Sequence, residues 1–230
     1  MLPFSWWNLL WISFIYFLFA GLGVAVGYHK YFSHKSFETY RAIEKLLAIF
    51  GLMSMAGSVL FWTCYHRGVH HKHSESDLDL SSPRHGYLKS FLLWHNDITE
   101  KTINLAYGRD ILKDPFLMFL HRNQFKVFWG ICGIVGLISP YFLFTCFLPA
   151  IVLSHHQDNA INLFSHLPAI GYRNFQTDDD SNNSLLLGWL FWGQGWHNNH
   201  HANPSRLNYG VKWWELDTAF LISKLLEKKK

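Results

Sequence analysis

The sequence predicts an all-α integral membrane protein forming a single domain over residues 1–230. It would have about three transmembrane helices, a re-entrant or interfacial helical segment and a histidine-rich cap on the cytosolic side. Three observations lead there. Half of the 230 residues are hydrophobic and 18% aromatic against only 16% charged, too apolar a balance for an ordinary soluble domain. Residues 1–28 and 127–157 contain no Lys, Arg, Asp or Glu, and each is long enough at 1.5 Å per residue to cross roughly 30 Å of hydrocarbon. The 15 histidines, finally, gather in spaced groups at the ends of apolar segments. The net charge of +4 does not point to nucleic acid, because all 20 Lys and Arg lie outside the two charge-free windows, as they do in membrane proteins. Cys64, Cys132 and Cys146, an odd number in apolar surroundings, read as small buried hydrophobes and exclude a disulfide scaffold.

Taken in order, residues 6–28 form the first span, with Trp6, Trp7 and Trp11 at its outer end and a start too poor in basic residues for a cleaved leader. Lys30, Lys35, Arg41 and Lys45 follow it closely, so the positive-inside rule puts residue 1 outside and residue 29 in the cytosol. Residues 43–62 are apolar enough to be called a span by hydropathy. Residues 65–126 are polar and carry turns at Ser82-Pro83 and Asp114-Pro115. Residues 125–139 and 141–160 read as two spans reversing at Ser139-Pro140. Residues 211–226, with an apolar stripe at Phe220, Leu221 and Leu225, read as an amphipathic helix lying on the membrane surface.

The histidines carry the chemistry. They form His29-x4-His34, His66-x3-His70-His71 and His197-x2-His200-His201, with His166 standing apart. At this histidine frequency one HxxHH arises by chance with odds of about 1 in 3,600 per start, or roughly 0.06 over the chain, so three such groups together are not accidental. Imidazole ligates iron, copper, zinc and nickel, and helical spacing puts His197, His200 and His201 on one face. A separation of five residues leaves His29 and His34, or His66 and His71, about 140° apart on an ideal α-helix, so the chain must depart from α geometry there. Gly68 is the candidate site for a π-bulge or local unwinding in the second group. This many imidazoles exceeds one tetrahedral zinc and suits two adjacent transition metals. Glu75, Asp77 and Asp79 are the nearest carboxylates able to orient imidazole N–H groups. If all groups share one centre, residues 43–62 cannot cross the bilayer, since a crossing would separate the first two groups by some 30 Å. The same parity makes the stretch from Phe125 to His166 leave and return, delivering Asn162 and His166 to the metals.

These residues resemble the membrane fatty-acid desaturases, specifically the acyl-CoA (delta-9, stearoyl-CoA type) branch with its bacterial relatives. Residues 27–34 (GYHKYFSH) are similar to the family's first histidine box and residues 66–76 (HRGVHHKHSES) to its second. Residues 84–87 and 110–115 resemble its linker, and residues 193–201 (GQGWHNNHH) with 213–217 (WWELD) form the most specific stretch. The resemblance implies two irons, held by His29, His34, His66, His70, His71, His166, His197, His200 and His201, with Asn162 holding a water on one of them. It further implies O2-dependent insertion of a cis double bond, delta-9 by the branch, into a saturated acyl chain carried most readily as acyl-CoA, otherwise as acyl-lipid. The electron donor would be cytochrome b5 or a ferredoxin with its reductase. The site would lie on the cytosolic face of a bacterial inner membrane or of the endoplasmic reticulum. The sequence departs from the pattern in the extra residue of the second box, in Leu80 after Asp79, in Gln194 for a usual Glu, and in His155, His156 and Asp158 on a usually apolar stretch. None of these removes a ligand.

Two other readings use the same residues. A lipid hydroxylase or ketolase would employ the same two irons, and a metal transporter would pass ions along the histidines. Transport requires polar groups at mid-membrane, whereas these histidines sit at the ends of apolar segments. Lys30, Lys35, Arg84 and Lys89 read first as cations snorkelling to the interface and second as contacts for a CoA phosphate.

Overall fold

The uncharged start of the chain forms one long helix, α1 (Trp6–Ser33), the one described helix long and apolar enough to cross a membrane. The computed structural model describes residues 5–229, so the sidedness expected for residue 1 lies outside the described residues. A capping box closes the start of α1, with Asn8 Oδ1 accepting the Ser5 backbone N–H at 2.7 Å. The helix is α-helical over Trp6–Tyr16, then widens into π geometry, with i to i+5 hydrogen bonds, over Phe17–Ser33.

α2 (Arg41–Met53) packs along the second half of α1, where Gly23 and Gly51 let the backbones approach. A Cβ on Gly23 would stand 2.4 Å from the Gly51 nitrogen, and one on Gly51 would stand 2.2 Å from the Tyr28 ring. Residues 43–62 are therefore not one helix. The chain breaks after Met53, turns through Met55 (φ 59°) and Gly57 (φ 90°), and restarts where Ser58 Oγ accepts the Phe61 N–H at 3.2 Å. The restarted helix, α3 (residues 59–73), is α-helical over Val59–Tyr65, π-helical over His66–His70 and α-helical again to His73.

After a polar segment of short turns, Asp114 caps α4 (Pro115–Arg122) by accepting the Phe116 and Leu117 N–H groups at 2.9 and 3.0 Å. α5 (Gln124–Ile138) is apolar but only 15 residues long. The expected reversal falls at Ser139-Pro140: Ser139 Oγ caps the next helix and Pro140 occupies its first turn. That helix, α6 (residues 140–164), packs its start on α5 and its length on α1. His155, His156, Gln157 and Asp158 interrupt its apolar run. The three cysteines are free and buried.

The last part of the chain holds α7 (Leu185–Leu190), α8 (His197–Ala202) and α9 (Thr218–Leu226). The amphipathic helix expected over 211–226 begins only at Thr218. Residues 211–217 are a turn because their carboxylates face inward: Glu215 accepts the Val211 and Lys212 N–H groups, and Asp217 caps α9 through the Phe220 N–H at 2.8 Å. Small residues, Ala219 and Ser223, form the buried face of α9 against α1, leaving Leu221 and Leu225 exposed.

Candidate metal centre

Two π segments, Phe17–Ser33 and His66–His70, sit where the sequence needed a departure from α geometry. Within α1 the His34 N–H bonds the His29 carbonyl at 3.1 Å, and in α3 the His71 N–H bonds the His66 carbonyl. These i to i+5 bonds join the two histidine pairs that α geometry would have splayed apart, and turn each pair to one side. Gly68 does lie inside the second π turn, but its missing side chain serves a contact instead: a Cβ there would be 2.5 Å from the Tyr107 ring.

The nine histidines converge in two groups. His29, His34, His66, His71 and His200 make one, and His70, His166, His197 and His201 the other, with the ligand atoms of each group within 4.8 Å of one another. Every converging atom is an Nε2. In the first group the approaches are His34–His66 at 2.8 Å, His29–His200 at 2.9 Å, and His66–His71 and His71–His200 at 3.0 Å. In the second they are His166–His197 at 2.9 Å and His70–His201 at 3.3 Å. Adjacent residues of α3 and of α8 are thus split between groups, His70 from His71 and His200 from His201.

Behind the imidazoles stand fixed acceptors. His70 donates its Nδ1–H to Asp79 at 3.1 Å, His166 to Glu75 at 2.5 Å, and His201 to Asp179 at 2.6 Å. His29 donates to Gln194 Oε1 at 2.6 Å. An ionised carboxylate only accepts, so each of these rings keeps its proton on Nδ1 and turns a bare lone pair inward from Nε2. Burial raises the carboxyl pKa values, but the histidine hydrogen bonds outweigh it and hold Glu75, Asp79 and Asp179 below the usual range. Burial also pulls the imidazoles down: His34 to about 3, His201 to about 4, and His66, His71, His197 and His200 well below normal. At His70 burial is outweighed by Asp79, which raises it. His70 and His201, each anchored to a carboxylate through Nδ1, bring their Nε2 atoms to within 3.3 Å, where a metal ion between them would take both lone pairs, and the convergence of five and of four ring nitrogens makes the donor set chemically suited to metal ions in both groups.

The carboxylates expected from sequence divide. Glu75, with a left-handed φ of 57°, and Asp79 face inward, whereas Asp77 lies on the outside of the tight turns closed by His73, Ser76 and Asp79 and stays exposed. Asp179 and Gln194 were missed. Asp179 sits in a run of three aspartates that looks like a solvated acidic loop, and only its bonds from Thr177 and Ser181 aim it at His201. Gln194 follows Gly193, whose φ of 86° and closeness to Asp217 admit no side chain.

Lys30 corrects the reading of an interfacial cation. It is fully buried, bonds Asp217 Oδ2 and the Leu207 carbonyl at 2.8 Å each, and stands 3.2 Å above the Tyr209 ring. The same ring packs on His29 and His200 with centroids 5.5 and 4.5 Å away. Lys35 and Lys89 instead make half-exposed pairs with Asp110 and Asp97. A cavity of about 30 Å³, room for about one water, touches both histidine groups through His29, His66, His70 and His197. Trp62, Tyr65, Trp94, Asp158, Ile161 and Asn162 are among its walls.

The model of the family described as fatty acid desaturase matches residues 4–229. The chain is 32% identical to the sn-2 palmitoyl-lipid 9-desaturase of Nostoc sp. (strain 36) over 97% of this chain and 80% of that protein. It is also 32% identical to Delta-9 acyl-lipid desaturase 2 of Arabidopsis thaliana, over 96% and 72%. To the Acyl-CoA C20 Delta5-desaturase of Anemone leveillei it is 30% identical, over 96% and 72%. The match takes in every segment that the fold turns toward the two histidine groups, and the chain therefore belongs to the fatty acid desaturase family.

Proposed function

We propose that this desaturase removes two hydrogens from neighbouring methylene carbons of a saturated fatty acyl chain, giving a cis double bond, delta-9 as in the printed names of two relatives above. The nine histidines would hold two irons, one per group, with a water held by Asn162. The observation that carries this reading is the pair of converging histidine groups beside one narrow cavity. When bound, the irons supply the O2-dependent one-electron chemistry that an unactivated methylene requires. The balance is one O2, two hydrogens with their electrons from the chain, and two electrons with two protons from an external donor, giving two waters. Cytochrome b5 or a ferredoxin is the donor class.

The protein's own part is to place the chain and keep the site dry. Trp62, stacked on His66 at 4.5 Å between ring centroids, and Phe61, Tyr65, Trp94 and Ile161 give the cavity a largely apolar wall and leave little room for water. Asp79, Glu75 and Asp179 hold three rings of the second group in the tautomer that presents Nε2. In the bilayer, α1, α5 and α6 would span and the α2–α3 break would re-enter, leaving the histidines on the cytosolic side.

Expression in cells lacking unsaturated fatty acids, followed by fatty-acid profiling, tests the activity. Metal analysis of the purified protein tests the centre, with about two irons per chain expected from an overfilled single site. One tightly held zinc with no monoene product overturns the reading. A hydroxylated chain of the same length would replace it with the hydroxylase.

A further inference from the structure

The two histidine groups are backed unequally. In the second group three of the four rings stand against a carboxylate through Nδ1: His70 against Asp79, His166 against Glu75 and His201 against Asp179. All three acids are buried or half-buried, so water screens these contacts little. Among the described residues no carboxylate pairs with a ring of the first group. His29 has a neutral acceptor there, the Gln194 amide oxygen at 2.6 Å. The buried Nδ1 atoms of His200 in the first group and of His197 in the second meet no partner. The charge closest to Tyr209, whose ring packs on His29 and His200, is the Lys30 ammonium, and Asp217 is already paired with it.

This asymmetry acts on a bound metal in two ways. A carboxylate that accepts the Nδ1–H bond makes the imidazole more basic at Nε2 and fixes its orientation, which strengthens its bond to a metal. A buried dication also needs counter-charge, which three carboxylates supply behind the second group and none supplies behind the first. The fifth ring of the first group adds one neutral donor. Against it stand three acceptors of the kind whose loss typically costs about 10- to 100-fold in metal affinity.

We infer that the two metal positions are unequal: the group of His70, His166, His197 and His201 fills first and empties last, and the group of five fills second and exchanges, with Gln194 as the residue that keeps it weak. This order rests on the two-iron reading above and adds to it which position governs loading. At low ferrous iron the chain would hold one ion, in the group of four, and double-bond formation would follow the filling of the group of five.

The test uses the full chain, loaded anaerobically with ferrous iron, equilibrated with rising concentrations of a ferrous chelator and read as iron atoms per chain. Two steps of loss are expected, about tenfold or more apart in free iron, with a plateau near one iron. His200→Ala should remove only the weak step and keep the plateau ion, whereas His166→Ala should remove the tight step. Gln194→Glu keeps the size of the side chain and gives His29 a charged acceptor, so it should tighten the weak step about 10- to 100-fold and bring the two steps together. Asp179→Asn should weaken the tight step by a similar factor, and it carries the comparison alone if Gln194→Glu does not fold. Loss of both irons in one step from the wild-type chain overturns the inequality and leaves two irons standing. So does a tight step that survives His166→Ala and disappears in His200→Ala. A chain that never takes up a second iron at saturating ferrous iron overturns the two-iron reading, and the order of filling with it.

Discussion

Lys30 shows how one neighbour redirects a side chain. It follows the apolar part of α1, where a lysine ordinarily reaches for water, yet Asp217 at 2.8 Å and the Tyr209 ring take it inward. Replacing it by alanine leaves the Asp217 carboxylate buried and unpaired, a loss of about 3–5 kcal/mol. We expect Lys30→Ala to melt several degrees lower, and Lys30→Ala with Asp217→Leu to recover part of that. The ligand roles separate in the same way. His66→Ala should abolish product and lower iron content as His200→Ala does, while Asp179→Ala, which keeps all nine histidines and takes away the acceptor behind His201, should lower iron affinity about 10- to 100-fold. His73 lies outside both groups, so His73→Ala retains activity. If His73→Ala were inactive and His66→Ala active, the second group would be bound in another register.

At the scale of elements the determinants are the two π turns and the clamp between them. Arg67 of α3 donates to the Phe32 and Ser33 carbonyls at the end of α1 and grips Asp110 with two bonds of 2.9 and 3.0 Å, which keeps His34 beside His66. Burial raises the Asp110 pKa, but Arg67 and Lys35 outweigh it and bring it down to about 2. The stability from this pair is therefore complete above the unfolded carboxyl value of about 3.9 and is lost as pH falls through about 2. In urea melts Asp110→Asn should be weaker at pH 7, and the gap to wild type should close between about pH 4 and 2. Gly68→Ala drives a methyl into the Tyr107 ring and should cost about 1–3 kcal/mol together with iron content, both partly restored by Tyr107→Ala.

For the whole molecule the decisive relation is that His34 and His66 touch although residues 43–62 lie between them. The break at Met55–Gly57 turns the chain so that α3 returns to the end of α1, which a continuous helix over the same residues would not do. Proposed spans α1, α5 and α6 then require Ser139 on the face opposite the histidines. A cysteine at Ser139 should react with an impermeant maleimide from the side opposite to one at exposed Asp77. Labelling of both from one side would show that α5 and α6 do not form a spanning hairpin.

Composition, charge-free windows and histidine spacing determined by themselves that the chain is helical and apolar and that eight histidines in three spaced groups belong together, because those signals depend on residue type and separation alone, while His166 joined them only through the family resemblance. They also marked Ser139-Pro140, where one helix ends and the next begins, and a turn at Asp114-Pro115, which the structure uses to start a helix; both are local hydrogen-bond chemistry. Only the tertiary structure decided how the nine divide into five and four, since neighbours such as His70 and His71 part to different groups through the packing of α1, α3 and α8. It also decided which acids serve them. Asp77 and Asp179 look alike in sequence, but a carboxylate finds its imidazole through contacts made between distant segments, 22 residues apart for Asp179 and His201 and 91 for Glu75 and His166. The buried Lys30–Asp217 pair, 187 residues apart in the chain, is legible only when α9 docks on α1.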